Sequence, residues 1–209
     1  IKMTANDMEL GIETVVQGEI IEPGSVAIEA KLFSEIIRKL PDNDIIIETK
    51  ENYQVTISCE KAKFNLSGKS GEDFTYLPFI EKDDYITVSQ FTLKNVIQQT
   101  IFSIADNETN KLMTGELFEI NGSELKVVAL DGHRIAIRKI DLKDSYNTQK
   151  VIVPGKTLND ISKILSGEAD KDVNIYFTKN HIVFEFDNTV VVSRLIEGEY
   201  FRIEQMLSN

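Results

Sequence analysis

The sequence predicts an α+β fold made of duplicated domains of antiparallel sheet with helices on one face. Three observations predict it. A helix-forming stretch occurs twice, as AKLFSEIIRKL at Ala30–Leu40 and as GKTLNDISKIL at Gly155–Leu165, 125 positions later. The strands that follow also recur: KENYQVTIS is answered by TKNHIVFEF, and GEDF (Gly71–Phe74) by EGEY (Glu197–Tyr200). Most of the remaining chain alternates apolar and polar residues between short turn signals, which is the pattern of antiparallel strands. Repeats of about 20–50 residues build solenoids, whereas a unit of this length is domain-sized.

Each element has its own warrant. In the first helix Leu32, Phe33, Ile36, Ile37 and Leu40 form one apolar stripe, and Pro41 ends it. In the second, Leu93, Val96, Ile97, Ile101 and Ile104 oppose Lys94, Asn95, Gln98 and Gln99. In the third, Leu158, Ile161, Ile164 and Leu165 are closed by Ser166-Gly167. Strands are expected at Ile45–Thr49, Gln54–Ser58, Ala62–Leu66, Tyr85–Val88, Glu116–Ile120, Leu125–Leu130, Arg134–Ile140, Val173–Phe177, Ile182–Phe186 and Val190–Leu195. Asn121-Gly122 and Asp131-Gly132 are strong signals for two-residue hairpins, because both central residues of that turn need positive φ. Asp187-Asn188 lacks the glycine and is the weaker signal. Loss of periodicity and a proline in YLPFIEK place a linker at 77–82, between a first domain at 1–76 and a second at 83–206.

The 209 residues are 42% hydrophobic, enough to bury a real core. Cys59 is alone and lies in an alternating stretch, so it reads as a small strand residue in a core. No apolar run approaches the ~20 residues that a membrane-spanning helix needs, and a cytoplasmic location is the expectation. The formal charge is −11, which disfavours general adhesion to nucleic acid. The cations are segregated, however. The three helical stretches carry +4 through Lys31, Arg38, Lys39, Lys94, Lys156 and Lys163, which leaves −15 for the rest.

Motifs for catalysis are missing. His133 and His181 are the only histidines, and neither has a well-placed nucleophile or orienting carboxylate nearby in sequence. One cysteine and two scattered histidines make no zinc site. SGKSG at Ser67–Gly71 lacks the earlier glycine of a phosphate loop, since that position is Lys63. The carboxylates are dispersed, as on solvated faces. An enzyme is therefore disfavoured, and no cofactor is expected.

VVALDGHRIAIRKI (Val127–Ile140) resembles the signature hairpin of the bacterial sliding clamp family, the beta subunit of DNA polymerase III. LFSEIIRKLP and KAKFNLSG resemble that family's first domain; LKNVIQQTIFSIA, VIVPGKTLNDISKIL and VVSRLIEGEY resemble its second. The resemblance implies a processivity factor that encircles duplex DNA without reading its sequence and tethers the replicative polymerase, the clamp loader and repair proteins. It implies a three-domain subunit that pairs head to tail into a ring, with helices lining the hole. The chain would hold the later part of domain one and all of domain two. A third domain is not expected in it, nor is ring closure by this chain alone. The alternative is a clamp-like scaffold that binds partners without encircling DNA.

The resemblance also implies two sets of site residues. Toward DNA it places Lys31, Arg38, Lys39, Lys94, Lys156 and Lys163, with Asn107, Asn110, Lys111 and Leu112 on a polar loop. In a pocket for short partner peptides it places Met113, Leu130, Gly132, His133, Arg134, Ile135, Phe201, Gln205 and Met206. Leu130 stands where the family usually has threonine, Phe201 where it has proline, and Gln205 where some relatives have arginine. Extra bulk at Leu130 and Phe201 would narrow such a pocket or change which peptides fit.

Overall fold

A computed structural model describes residues 1–78, 80–82, 85–106 and 109–206, apart from the side chain of Glu204. Two compact units divide the chain: Ile1 with Gln17–Tyr76, and Lys2–Val16 with Leu77 onward. The stretch Lys2–Val16, within the first domain expected at 1–76, packs with the second unit. Asp83, the expected start of the second domain, falls outside the described residues.

In the first unit, α1 (Ala30–Ile37) follows the short strand β3 (Val26–Ala27), and its Phe33, Ile36 and Ile37 pack on a three-stranded sheet. That sheet is β4 (Ile46–Thr49), β5 (Gln54–Cys59) and β6 (Ala62–Ser67), in chain order and antiparallel. Val55, Ile57 and Leu66 form its buried face, and Cys59 closes β5 as a buried free thiol. SGKSG, far from cradling an anion, contributes β7 (Lys69–Ser70), which pairs with β3.

The second unit holds a six-stranded sheet in the order β1-β2-β13-β12-β11-β8, antiparallel throughout. Its strands are β1 (Lys2–Asn6), β2 (Leu10–Val15), β8 (Tyr85–Ser89), β11 (Asp172–Phe177), β12 (His181–Phe186) and β13 (Thr189–Arg194). The helices α2 (Gln90–Thr100) and α3 (Gly155–Ile164) bury Leu93, Val96, Ile97, Leu158 and Ile161 against it. Ser89 caps α2 by accepting the amide hydrogen of Thr92 at 3.1 Å. α2 in turn caps α3: Lys94 Nζ donates to the Leu165 carbonyl at 3.0 Å, and the Gln90 side-chain oxygen accepts from the Ser166 amide at 3.0 Å.

Two turn expectations fail. β9 (Gly115–Leu130) runs straight through Asn121-Gly122 and pairs with one long partner, β10 (Ile135–Pro154). Gly122 takes φ of +60° in a bulged stretch opposite Tyr146, so its freedom serves an irregular ladder instead of a reversal. At Asp131-Gly132 the chain does reverse, but Leu130 pairs with Ile135, so four residues span the turn. There Gly132 takes φ of +90°, while Asp131 is not among the positive-φ residues. The tight two-residue turns lack glycine altogether: Glu60-Lys61 and Asp187-Asn188, with φ of +49° at Glu60 and at Asp187.

Candidate partner pocket and cation-bearing helices

Leu130 and Ile135 flank the β9–β10 turn, and a small apolar cluster forms beneath them. Leu117, Val128, Leu130, Ile152, Ile196 and Ile203 are its buried members, and Leu112, Met113, Ile135, Ile137, Tyr200 and Phe201 pack around them half-buried. The turn is held by its own aspartate. Asp131 Oδ1 accepts the amide hydrogens of His133 at 3.0 Å and Arg134 at 3.1 Å, and Oδ2 accepts Arg134 Nε–H at 2.8 Å. These amide hydrogens, that of His133 foremost, keep the Asp131 carboxyl below the usual range. Arg134 also lies over the exposed ring of Phe102, 5.9 Å from its centroid.

Of the nine expected pocket residues, Met113, Leu130, Ile135 and Phe201 come together. Gly132, His133 and Arg134 sit on the exposed turn at the rim. Gln205 and Met206 do not join the cluster: both are exposed on the short helix α4 (Ile203–Met206), and Met206 is 46% accessible. Their helical neighbour Ile203 is buried in the cluster instead. Leu112, expected toward DNA, also packs here, which is where an uncharged branched side chain beside Met113 gains most. Asn110 spends its side-chain oxygen on the Leu112 amide at 3.1 Å, Lys111 is exposed, and Asn107 lies outside the described residues.

Behind the cluster sits a group that the sequence disguises. Glu116 is fully buried on β9, where Thr100 Oγ1 donates to its Oε2 at 3.0 Å. Among the described residues, Glu116 Oε1 and Ser103 Oγ have no hydrogen-bond partner. Burial pushes the Glu116 carboxyl up to about 8, so it is mostly protonated at neutral pH. The adjacent Gly115 carbonyl lies 3.3 Å from the Tyr200 hydroxyl, which is also 3.4 Å from the Val128 carbonyl. Burial, then the nearby Glu116, raises the Tyr200 pKa, so the phenol remains a donor. A separate crevice of about 170 Å³ opens at the β9–β10 bulge, lined by Tyr85, Tyr146, Asn147 and Phe177 among others, and shares no residue with the cluster. Burial, then the nearby Arg194, lowers the His181 pKa, and the described residues contain no group of His, Cys, Asp and Glu able to hold a metal ion.

The helical cations differ in what they touch. Lys31, Arg38 and Lys39 on and after α1 are exposed, with no carboxylate at ion-pair distance among the described residues. In the second unit Lys94 is committed to a carbonyl, Lys163 pairs with Asp160 at 3.1 Å, and Lys156 pairs with Asp7 at 2.5 Å.

Comparison with known proteins decides the kinship. The family model for the central domain of the DNA polymerase III beta subunit matches residues 87–201, and that for its N-terminal domain matches residues 1–78. The chain belongs to the DNA polymerase III beta subunit family. A beta sliding clamp of Staphylococcus epidermidis is 37% identical over 206 residues, which is 95% of this chain and 54% of that protein; one of Staphylococcus aureus is 39% identical over the same length. A crystal structure from Eubacterium rectale described as a DNA polymerase III beta subunit is 66% identical with a TM-score of 0.95. The sliding clamp of Bacillus subtilis is 34% identical with a TM-score of 0.93. Both solved structures match 100% of this chain and are themselves matched over 57% of their length. The chain thus spans about half the length of the relatives it resembles. The duplicated α+β clamp fold stands, and no described helix is long and apolar enough to cross a membrane.

Proposed function

We propose that the full-length protein is a DNA sliding clamp without an active site: a cytoplasmic ring that encloses duplex DNA and tethers polymerases through the β9–β10 pocket. The observation that carries this reading is the apolar cluster under the Asp131 turn, where Leu130, Ile135, Met113 and Phe201 meet beside a carboxylate-braced Arg134. Apolar anchors around a rigid polar turn suit a short linear peptide, whose affinity rests on a few buried side chains. The adaptable Met113 suits several partners in turn. The exposed cations of α1 supply contacts to phosphate, which hold duplex DNA without reading sequence.

The strand edges support a larger assembly. β2 follows the Asp7 turn as β10 follows the Asp131 turn, and the far edge of β2 is covered by β13. Among the described residues no strand lies beyond the corresponding edge of β10, from Ile135, because β9 and β10 make a sheet of two. An open edge of that kind is a site for strand addition, here by a further like domain. Head-to-tail pairing of such subunits would close a homodimeric ring.

A fluorescent peptide bearing the clamp-binding segment of a replicative polymerase tests the pocket. Ile135→Asp should weaken it by about tenfold or more, since a carboxylate would face apolar side chains, while the circular dichroism of the protein stays unchanged. Ile135 is the better probe than the fully buried Leu130, whose replacement would also disturb the fold. Undiminished binding to Ile135→Asp would sink the pocket assignment.

A further inference from the structure

We propose that Asp7 is an internal counter-charge that holds Lys156 back from phosphate and so limits this protein's grip on duplex DNA. The inference rests on the DNA-tethering reading above. It starts from the turn between β1 and β2, which repeats the geometry of the turn between β9 and β10. The Asp7 amide donates to the Leu10 carbonyl at 3.1 Å, as Asp131 donates to Arg134 at 3.3 Å. Asp7 Oδ1 accepts the amide hydrogens of Glu9 at 3.1 Å and Leu10 at 2.8 Å, matching Asp131 with His133 and Arg134. Met8 takes φ of +73° where Gly132 takes +90°. In both turns one carboxylate oxygen braces the backbone, and the other is left aimed outward.

The two aspartates spend that second oxygen differently. Asp131 Oδ2 turns back to Arg134 in its own loop, whereas Asp7 Oδ2 reaches Lys156 Nζ in the first turn of α3, at 2.5 Å. A cation there opposes the positive end of the helix dipole, and the aspartate offsets that cost. Asp160 and Glu9 add negative potential around the same ammonium, and Asp7 dominates. The side chains are 63% and 47% exposed, so the pair adds little to stability and can open to solvent. Its consequence is competitive. A lysine gains affinity for duplex DNA by neutralising a phosphate and releasing the cation condensed there, whereas a lysine already paired with a fixed carboxylate must first give up that partner. The sequence repeat provides the control, because Lys31 aligns with Lys156 and has no carboxylate at ion-pair distance among the described residues.

Duplex binding by this chain across a salt series tests the idea. Asp7→Asn keeps the oxygen that braces the turn and removes the charge. It should tighten binding several-fold at low salt and steepen the slope of log K against log salt by about one. In a Lys156→Met background Asp7→Asn should do nothing. Lys31→Met should weaken binding and flatten the slope by about one. If Asp7→Asn changes nothing while Lys31→Met still weakens binding, the counter-charge is overturned and the DNA reading stands. Equal tightening with and without Lys156 also overturns it, because bulk charge would then be the cause. If Lys31→Met has no effect either, the DNA reading itself falls, and this inference with it.

Discussion

Ile47, Ile57 and Phe64 face each other across three strands of the first unit, as Ile175, Phe184 and Val191 do in the second. The registers correspond, yet burial does not. The central residues are both fully buried, but Ile47 and Phe64 are 40% and 37% exposed where Ile175 and Val191 are at 0%. The difference lies in the neighbours. β11 is paired by β8 and β13 by β2, and α2 and α3 cover the face; among the described residues β4 and β6 are sheet edges, and α1 packs with Val55 and Ile57 of β5 and Leu66 of β6. Local sequence sets the pairing of these strands, and the surrounding elements set how much free energy each apolar side chain returns.

The largest expected effect probes that difference directly. Ile175→Ala should cost about 2–5 kcal/mol, the usual range for emptying a filled core site, whereas Ile47→Ala should cost less than about 1.5 kcal/mol. Urea unfolding of both variants measures it. Equal losses would mean that the outer strands of the first unit are covered as fully as those of the second.

These copies also show what could be read from residues alone and why the rest could not. The helices and paired strands were legible because periodicity and repetition are local or nearly so. The glycine-bearing turns are ambiguous in sequence: Asn121-Gly122 fits a hairpin as well as a bulge, and only the length of the partner strand β10 decides between them. Leu130, Ile135, Met113 and Phe201, which the resemblance implies, do converge, while Ile203 carries no sequence signal because α4 is too short for periodicity. Glu116 was hidden most thoroughly. A glutamate in an alternating strand reads as solvent-facing, and its burial depends on Thr100 and the following turn arriving from elsewhere in the chain.

Glu116 gives the next effect. Its pKa in the fold, about 8, lies above the ordinary 4.5, so the native state binds the extra proton. Its contribution to stability is therefore whole below pH about 4.5, falls as the pH rises toward about 8, and is level beyond, a loss of the order of a few kcal/mol. Glu116→Gln should flatten that fall while leaving stability near pH 5 little changed, since a neutral amide can still accept from Thr100. Denaturant titrations of both proteins at several pH values check this. A parallel decline in the variant would show that Glu116 is not the group responsible.

The smallest effect should be the same in both copies, which sharpens the contrast with burial. Glu60 and Asp187 each hold φ of +49° in a two-residue turn between equivalent strands. Left-handed backbone costs a side-chain-bearing residue about 1–2 kcal/mol, and glycine escapes that cost at an entropic penalty of about 0.5–1 kcal/mol. Glu60→Gly and Asp187→Gly should thus each stabilise their own unit by up to about 1 kcal/mol. The matching gain is expected because a tight turn carries its strain within itself, whatever packs on the strands. Each side chain also accepts one hydrogen bond from outside its turn, Glu60 from Asn43 Nδ2 at 3.1 Å and Asp187 from Gln90 Nε2 at 3.4 Å, and losing it would trim both gains. Asn43→Ala and Gln90→Ala measure those bonds separately, and destabilisation by glycine at both sites beyond their loss would refute the assignment of strain to the turns.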